Sequence, residues 1–105
     1  MGWIVEYTRE AVRDLEALDH SQQLLVLKAI DKVSYNPLPQ TEGGYGKPLG
    51  NFMSANLAGY MKIKLLKPGL RIVYRLVKEA AVMSIIVISV RDDEAVYDLA
   101  YERIR

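Results

Sequence analysis

Apolar residues recur with a helical period in the first third of this sequence and with a strand period in its second half. Residues 3–7 are aromatic and β-branched, which is typical of a short strand. Apolar positions on one helical face predict a helix that Thr8 caps and that runs to about Asp19. A second helix, capped by Ser21, ends before Pro37 because the residue preceding a proline avoids the helical region. The two helices are expected to form an αα-hairpin.

A connection rich in glycine and proline follows the helices. It covers residues 38–56 and is predicted to be a long loop, which Leu49 and Phe52 anchor to the core. From Tyr60 onward the apolar period changes to two, which indicates a strand.

Two more strands and a helix are predicted in the remainder. A two-residue turn at 68–69 leads into a strand over 70–78. Residues 82–90 are almost continuously apolar, which predicts a central strand covered on both faces for much of its length. The acidic pair 92–93 can cap a final helix that reaches about Ile104.

The order of these elements, β-α-α-β-β-β-α, predicts an α+β fold. Its small antiparallel sheet is a three-strand C-terminal meander, with the N-terminal strand beside an outer member. This sheet packs on the N-terminal αα-hairpin, and a C-terminal helix completes the fold. The 105 residues, 50% of them hydrophobic, suffice for one small core, so a single domain over 1–105 is expected.

Charge is distributed unevenly along the sequence. The formal net charge is +1, which by itself argues weakly against a nucleic-acid-binding protein. Residues 60–78, however, contain six Lys or Arg residues and no Asp or Glu. A local positive surface is therefore expected on a nearly neutral protein.

Strand alternation gathers several of these cations on one side of the sheet. A two-residue turn would pair Lys64 with Val73 and Lys62 with Arg75, and cross-strand partners point the same way. Lys62, Lys64, Arg71 and Arg75, here called the cationic face, would then share one side. Two interpretations stay open: a surface that binds a polyanion, or a solvated face that keeps the sheet soluble.

Several kinds of chemistry are excluded by what the sequence lacks. It has no cysteine, and its single histidine rules out a two-histidine ribonuclease mechanism. It contains no phosphate-binding glycine motif, and residues 92–94 are interpreted as a helix cap instead of a metal site. We therefore expect neither a metal nor a cofactor. No apolar run long enough for a membrane span and no export signal are recognised, so a cytoplasmic location is expected.

Residues 59–77, GYMKIKLLKPGLRIVYRLV, resemble the core of the RelE family within the RelE/ParE superfamily. In that family a basic strand, a glycine-containing turn and an R-[LIV]-V-Y strand follow in this order. The stretch ISVRDDEAVY at 88–97 is similar to the family's ending, where an arginine precedes a Val-Tyr pair. The first helix and the Asn36-Pro37 pair also agree, so the resemblance covers nearly the whole sequence.

The resemblance implies a catalytic set of five residue types, and all five are present. They fall on Lys62, Lys64, Arg71, Arg91 and Tyr97, with Lys67 and Arg75 expected to bind RNA beside them. One departure is that Val90 joins Arg91 directly, where many relatives have Gly-Lys. Without the resemblance, Arg91 would be interpreted as a surface ion pair and Tyr97 as a boundary residue at the margin of an amphipathic helix.

The activity implied by the resemblance is metal-independent cleavage of mRNA in the ribosomal A site. Tyr97 would act as general base, with Lys62 and Lys64 favouring its ionised form. Arg71 would stabilise the charge that develops on the phosphate, and Arg91 would stand beside the leaving oxygen.

The implied partners are a cognate RelB-like antitoxin, the ribosome with its mRNA, and operator DNA through the antitoxin complex. Two alternatives remain open. One is a gyrase inhibitor of the ParE type, and the other is a catalytically silent RNA- or protein-binding domain of the same fold.

Overall fold

The computed structural model describes residues 2–52, 55–65, 69–90 and 93–104. Within them, the strands are β1 (Ile4–Tyr7), β2 (Lys47–Phe52), β3 (Ala55–Leu65), β4 (Leu70–Val77) and β5 (Val82–Ser89). The α-helices are α1 (Arg9–Glu16), α2 (His20–Ser34) and α3 (Asp93–Ile104). None of the described helices is long and apolar enough to cross a membrane.

The strands form one sheet in the order β1-β5-β4-β3-β2. The strands β3, β4 and β5 are the predicted antiparallel meander, and β1 lies parallel beside β5, an outer member of that meander. The α+β fold is thereby confirmed. The prediction that 82–90 forms the central strand is wrong in position, since β4 occupies the centre. The prediction that both of its faces are covered is confirmed, because β5 contributes to both cores.

An additional strand, β2, occupies part of the segment that was predicted to be a loop. It pairs antiparallel with β3, which begins at Ala55 instead of Tyr60. The pattern concealed this hairpin because Pro48 and Gly50 are poor strand residues, and the register is irregular between them. Proline is tolerated because β2 is an edge strand. Leu49 packs against the second core as predicted, whereas the side chain of Phe52 lies outside the described residues.

The first core lies between the sheet and the helical hairpin. Thr8 caps α1 as predicted, since its hydroxyl oxygen accepts a hydrogen bond from the Ala11 N–H at 3.1 Å. The predicted cap of α2, Ser21, is wrong. Asp19 caps that helix by accepting from the Gln22 N–H at 2.8 Å, and Ser21 donates to the Asp19 carboxylate. The hydrogen bond from Gln22 is the main reason that the pKa of Asp19 is lowered.

The loop between α2 and β2 is fastened to this core by Tyr74. Its buried hydroxyl donates to the carbonyl oxygen of Pro37 at 2.9 Å, and burial raises the pKa of the phenol, which therefore stays a donor. Gly46 lies so close that an added Cβ would be 2.5 Å from the Tyr74 hydroxyl. The backbone on either side of Tyr45 is consequently well fixed.

The second core lies on the opposite side of the sheet, beneath α3. It contains Val73 from β4, Ile86 and Val87 from β5, and Val96, Tyr97 and Ala100 from α3. The C-terminal helix therefore covers part of the side that carries the cationic face.

Candidate functional site

The cationic face exists, although the predicted pairing between β3 and β4 is wrong by two residues. Lys64 lies opposite Arg71, and Lys62 lies opposite Val73. The register differs because four residues, 66–69, separate the paired Leu65 and Leu70, where a two-residue turn was predicted. Gly69 closes this connection in the left-handed region at φ +86°.

The error in register leaves the assignment of faces intact. Side chains alternate with a period of two, so a shift by two residues returns each one to its original side. Met61, Ile63, Ile72 and Tyr74 belong to the core under the helical hairpin, while Tyr60 and Val73 belong to the core under α3. Lys62, Lys64, Arg71 and Arg75 alternate with the first group. The prediction that these four share one side of the sheet is therefore confirmed.

The observed register brings two like charges close together at one end of this face. Directly opposed residues have Cβ atoms about 4.5–5.5 Å apart, and Lys64 and Arg71 are such a pair. Arg71 is oriented by donating from Nη1 to the Gly69 carbonyl oxygen at 3.1 Å. Arg75 lies farther along β4, opposite Tyr60. Lys64 and Arg71 are thus direct cross-strand neighbours at one end of the cationic face.

Tyr97 reaches this face from α3. The Lys62 Nζ lies 5.4 Å from the centroid of the Tyr97 ring, a cation–π contact. The residue is 5% exposed, and its hydroxyl oxygen is buried. Tyr97 is therefore an interior member of the second core and not the margin residue that the helical pattern indicated.

Two of the predicted site residues, Arg91 and Lys67, lie outside the described residues. Of the remaining five, the fold brings Lys62 next to Tyr97 and Lys64 next to Arg71, all on one side of the sheet. Arg75 is exposed and lies opposite Tyr60, two positions along β4 from Val73. Over the described parts of the chain, no group of three His, Cys, Asp or Glu side chains is placed to hold a metal ion.

The sequence interpretation missed the ion pair that holds α3 in place. Arg103 donates from Nη1 and Nη2 to the two carboxylate oxygens of Asp14, at 2.6 and 3.0 Å. Nη1 also donates to the Ile86 carbonyl oxygen, and Asp14 accepts from the Ile88 N–H. The sequence did contain one indication of this pair, since Asp14 is an acid on the apolar face of the first helix, between Ala11 and Leu15. This pair connects α1, β5 and the helix that carries Tyr97.

We expect Asp14→Ala to lower the free energy of unfolding by about 2 kcal/mol. A fully buried pair would lose roughly 3–5 kcal/mol when one partner is removed, and partial solvent screening reduces that value. The side chains of Arg103 and Asp14 are 16% and 17% exposed. Urea unfolding followed by the fluorescence of Trp3 measures the loss, with the exposed Glu16→Ala as control. Equal stability of the two variants would show that the pair contributes nothing.

Known proteins are similar to this chain in sequence and in fold, although no family model matches the chain. A protein of Escherichia coli described as a RelE-like toxin protein is 29% identical over 108 residues, covering 100% of both chains. The E. coli RelE toxin, solved in the free state as a double arginine mutant, superposes with a TM-score of 0.75 at 21% identity, again covering 100% of both chains.

A structure of the RelBE2 toxin–antitoxin complex from Mycobacterium tuberculosis contains a second similar chain. Its TM-score is 0.69 at 28% identity, and the match covers 89% of this chain and 95% of that one. The full-length sequence similarity and the superpositions agree: the chain is similar to RelE-like toxins in sequence, and it has the RelE fold.

Proposed function

We propose that this protein is the toxin of a toxin–antitoxin pair and that it cleaves mRNA in the A site of the ribosome, in the cytoplasm. One arrangement supports this proposal. The phenol of Tyr97 lies against the Lys62 ammonium, while Lys64 and Arg71 stand as direct neighbours on the same side of the sheet. A phenol beside clustered cations suits base catalysis on a phosphodiester without a metal, because the cations stabilise the anionic transition state.

The proposed reaction is attack of a ribose 2′-OH on the adjacent phosphorus. Tyr97 takes the 2′ proton as the new P–O bond forms, and the bond to the 5′ oxygen breaks. Arg71 stabilises the charge on the non-bridging oxygens. Arg91 is assigned to the leaving oxygen, which takes a proton from water and leaves as a 5′-OH. The products are a 2′,3′-cyclic phosphate and a free 5′-OH. The buried Tyr97 hydroxyl implies that the tyrosine or α3 must shift when RNA binds.

The remaining cations would bind the rest of the RNA. Arg75 and Lys67 are proposed to contact phosphates beside the cleaved one. Each such contact contributes affinity that falls as salt rises.

The proposed inhibitor is a RelB-like antitoxin. Its support is that a similar chain was solved within the RelBE2 toxin–antitoxin complex. An acidic segment that folds on binding would neutralise the cationic face. Any contact with operator DNA is proposed to occur through the antitoxin.

The proposal is tested by mapping mRNA 5′ ends in cells that express the protein. We expect growth arrest on induction, with new 5′ ends inside translated codons, detected by primer extension. Growth arrest with DNA damage and intact mRNA would instead indicate a gyrase inhibitor. Unimpaired growth would indicate a catalytically silent domain.

Purified protein should cut free RNA far more slowly than mRNA held in a programmed ribosome. The reason is that in-line attack needs a bent backbone, and the ribosome is proposed to hold that geometry in advance. Quantitative gel analysis of one mRNA, with and without ribosomes, measures the difference. Equal rates in the two conditions would contradict the ribosome-dependent part of the proposal.

A further inference from the structure

A second group of cations lines a cleft at the edge of the sheet. The strand β2 begins at Lys47, which pairs with Lys62, so β3 continues past the start of β2 over residues 63–65. The space left there is a cleft of about 240 Å³ between this edge, α2 and the loop before β2. We call it the lysine cleft and define it by Lys32, Tyr45, Lys47, Lys62 and Lys64.

Among the residues that the structure describes, the lining of the lysine cleft has four lysines and no acid. Lys32 comes from α2, Lys47 from β2, and Lys62 and Lys64 from β3. Neighbouring like charges repel one another, and a bound polyanion removes that repulsion. The charge of the cleft therefore indicates an anionic ligand.

Tyr45 supplies an aromatic surface inside this charged cleft. It is 50% exposed, and the Lys32 Nζ lies 5.5 Å from the centroid of its ring. Its backbone is held in place, because its N–H donates to the Asn36 carbonyl oxygen at 2.9 Å and the adjacent Gly46 packs against Tyr74. An exposed aromatic ring on a fixed backbone, surrounded by cations, is the combination on which single-stranded nucleic acids stack their bases.

The lysine cleft is continuous with the cationic face, since Lys62 and Lys64 belong to both. Single-stranded RNA bound along the cationic face would extend past the edge of the sheet into the lysine cleft. The cleft is smaller than the roughly 300–1,000 Å³ of sites that enclose whole small molecules. It therefore suits one nucleotide of a longer strand.

We propose that the lysine cleft is a nucleotide subsite for single-stranded RNA, next to the phosphate that is cleaved. The base stacks on Tyr45, and the phosphate of the same nucleotide lies between Lys32 and Lys47. This inference rests on the proposed function, and it assigns the subsite to residues outside the implied catalytic set.

Binding of a fluorescent, 2′-O-methylated RNA oligonucleotide, which cannot be cleaved by 2′-OH attack, tests the subsite. Tyr45→Ala should weaken binding by about 5- to 100-fold, the range expected for one stacked base. Tyr45→Phe should bind like the wild type because it keeps the ring. Tyr35→Ala is the matched control, as Tyr35 is 64% exposed and lies outside the cleft lining.

The two outer lysines are tested by salt dependence. Lys32→Ala and Lys47→Ala should each reduce the slope of log affinity against log salt by about 0.7, the value for one phosphate contact on a single strand. Lys28→Ala, an exposed lysine one helical turn from Lys32, should leave the slope unchanged. Fluorescence anisotropy over a salt series provides both measurements, and thermal unfolding verifies that each variant folds.

The outcomes separate this inference from the proposed function. If the wild type cleaves mRNA on ribosomes but the Tyr45 and lysine variants bind RNA unchanged, the subsite is wrong and the function stands. If no mRNA is cleaved but the variants lose RNA binding, the function is wrong and the subsite stands. A wild type that fails to bind the oligonucleotide at low salt overturns the subsite. So do variants that keep RNA affinity but lose affinity for a glutamate-rich peptide, because the cleft is then a protein-docking surface.

Discussion

Replacing Tyr97 by phenylalanine should lower the rate of mRNA cleavage on ribosomes by about 100- to 1,000-fold, within the range by which a general base contributes. The substitution removes the hydroxyl that would take the 2′ proton. It keeps the ring, and with it the contact to Lys62 and the packing in the second core. The loss should therefore appear in the single-turnover rate and not in the unfolding midpoint.

The control for Tyr97→Phe is Tyr101→Phe on the same helix. Tyr101 is partly buried against the same core, so its variant experiences a similar change in packing. Single-turnover cleavage on programmed ribosomes should distinguish the two variants clearly. If Tyr97→Phe cleaves as fast as Tyr101→Phe, the phenol is not the base, and its proximity to the lysines serves only packing.

Arg71→Ala should produce a rate loss of similar size, about 100- to 1,000-fold, because it removes a positioned charge from the anionic transition state. Arg71→Lys should recover part of the rate, since the ammonium keeps the charge but cannot donate two parallel hydrogen bonds to a phosphate. Arg75→Ala should mainly weaken RNA affinity, because Arg75 stands farther along the strand. Rate constants measured at several toxin concentrations separate the two effects.

The control for Arg71→Ala is Arg13→Ala, which removes an exposed arginine of α1. Toxicity and the cleavage rate should be unchanged in this variant. Undiminished toxicity of Arg71→Ala under controlled expression would remove this residue from the catalytic assignment. Undiminished toxicity of both Arg71→Ala and Tyr97→Phe would reject the assignment as a whole.

The side of the sheet on which each strand residue lies was predictable, because it depends only on whether the residue number is odd or even along the strand. Alternation put Lys62, Lys64 and Arg71 on one side, and an error of two residues in the register could not change that result. The pairing itself was not predictable, since it depends on the length of the connection between β3 and β4. Proline followed by glycine suggested a short turn, whereas the paired Leu65 and Leu70 enclose four residues.

The first hairpin of the sheet, β2 with β3, escaped prediction for a different reason. Its strand residues include Pro48 and Gly50, and local propensity argues against a strand at both. Tertiary contacts decide the outcome, because Leu49 packs under α3 and β3 provides the hydrogen-bonding edge. A segment whose conformation is decided by tertiary contacts shows little strand propensity in its own sequence.

Contacts between residues that are far apart in the sequence could not be predicted either. Asp14 and Arg103 are 89 residues apart in the sequence, and neither residue alone predicts the other. The depth of Tyr97 was also missed, because a helical pattern indicates which side is apolar but not how closely another layer covers it. The side of the sheet on which the candidate residues lie could be predicted, and their distances from one another could not.

The parallel pairing of β1 with β5 fixes when this fold can be completed. Ile4 pairs with Val82 and Tyr7 with Ile85, so a nascent chain keeps its first strand unpaired until most of the sequence has been translated. Asp14 likewise cannot form its ion pair until Arg103, farther along the sequence, has been translated. Assembly of the phenol and the lysines consequently requires that the chain be translated through α3. On the proposed function, a growing polypeptide that still lacks α3 also lacks Tyr97 and cannot cleave the mRNA from which it is being made.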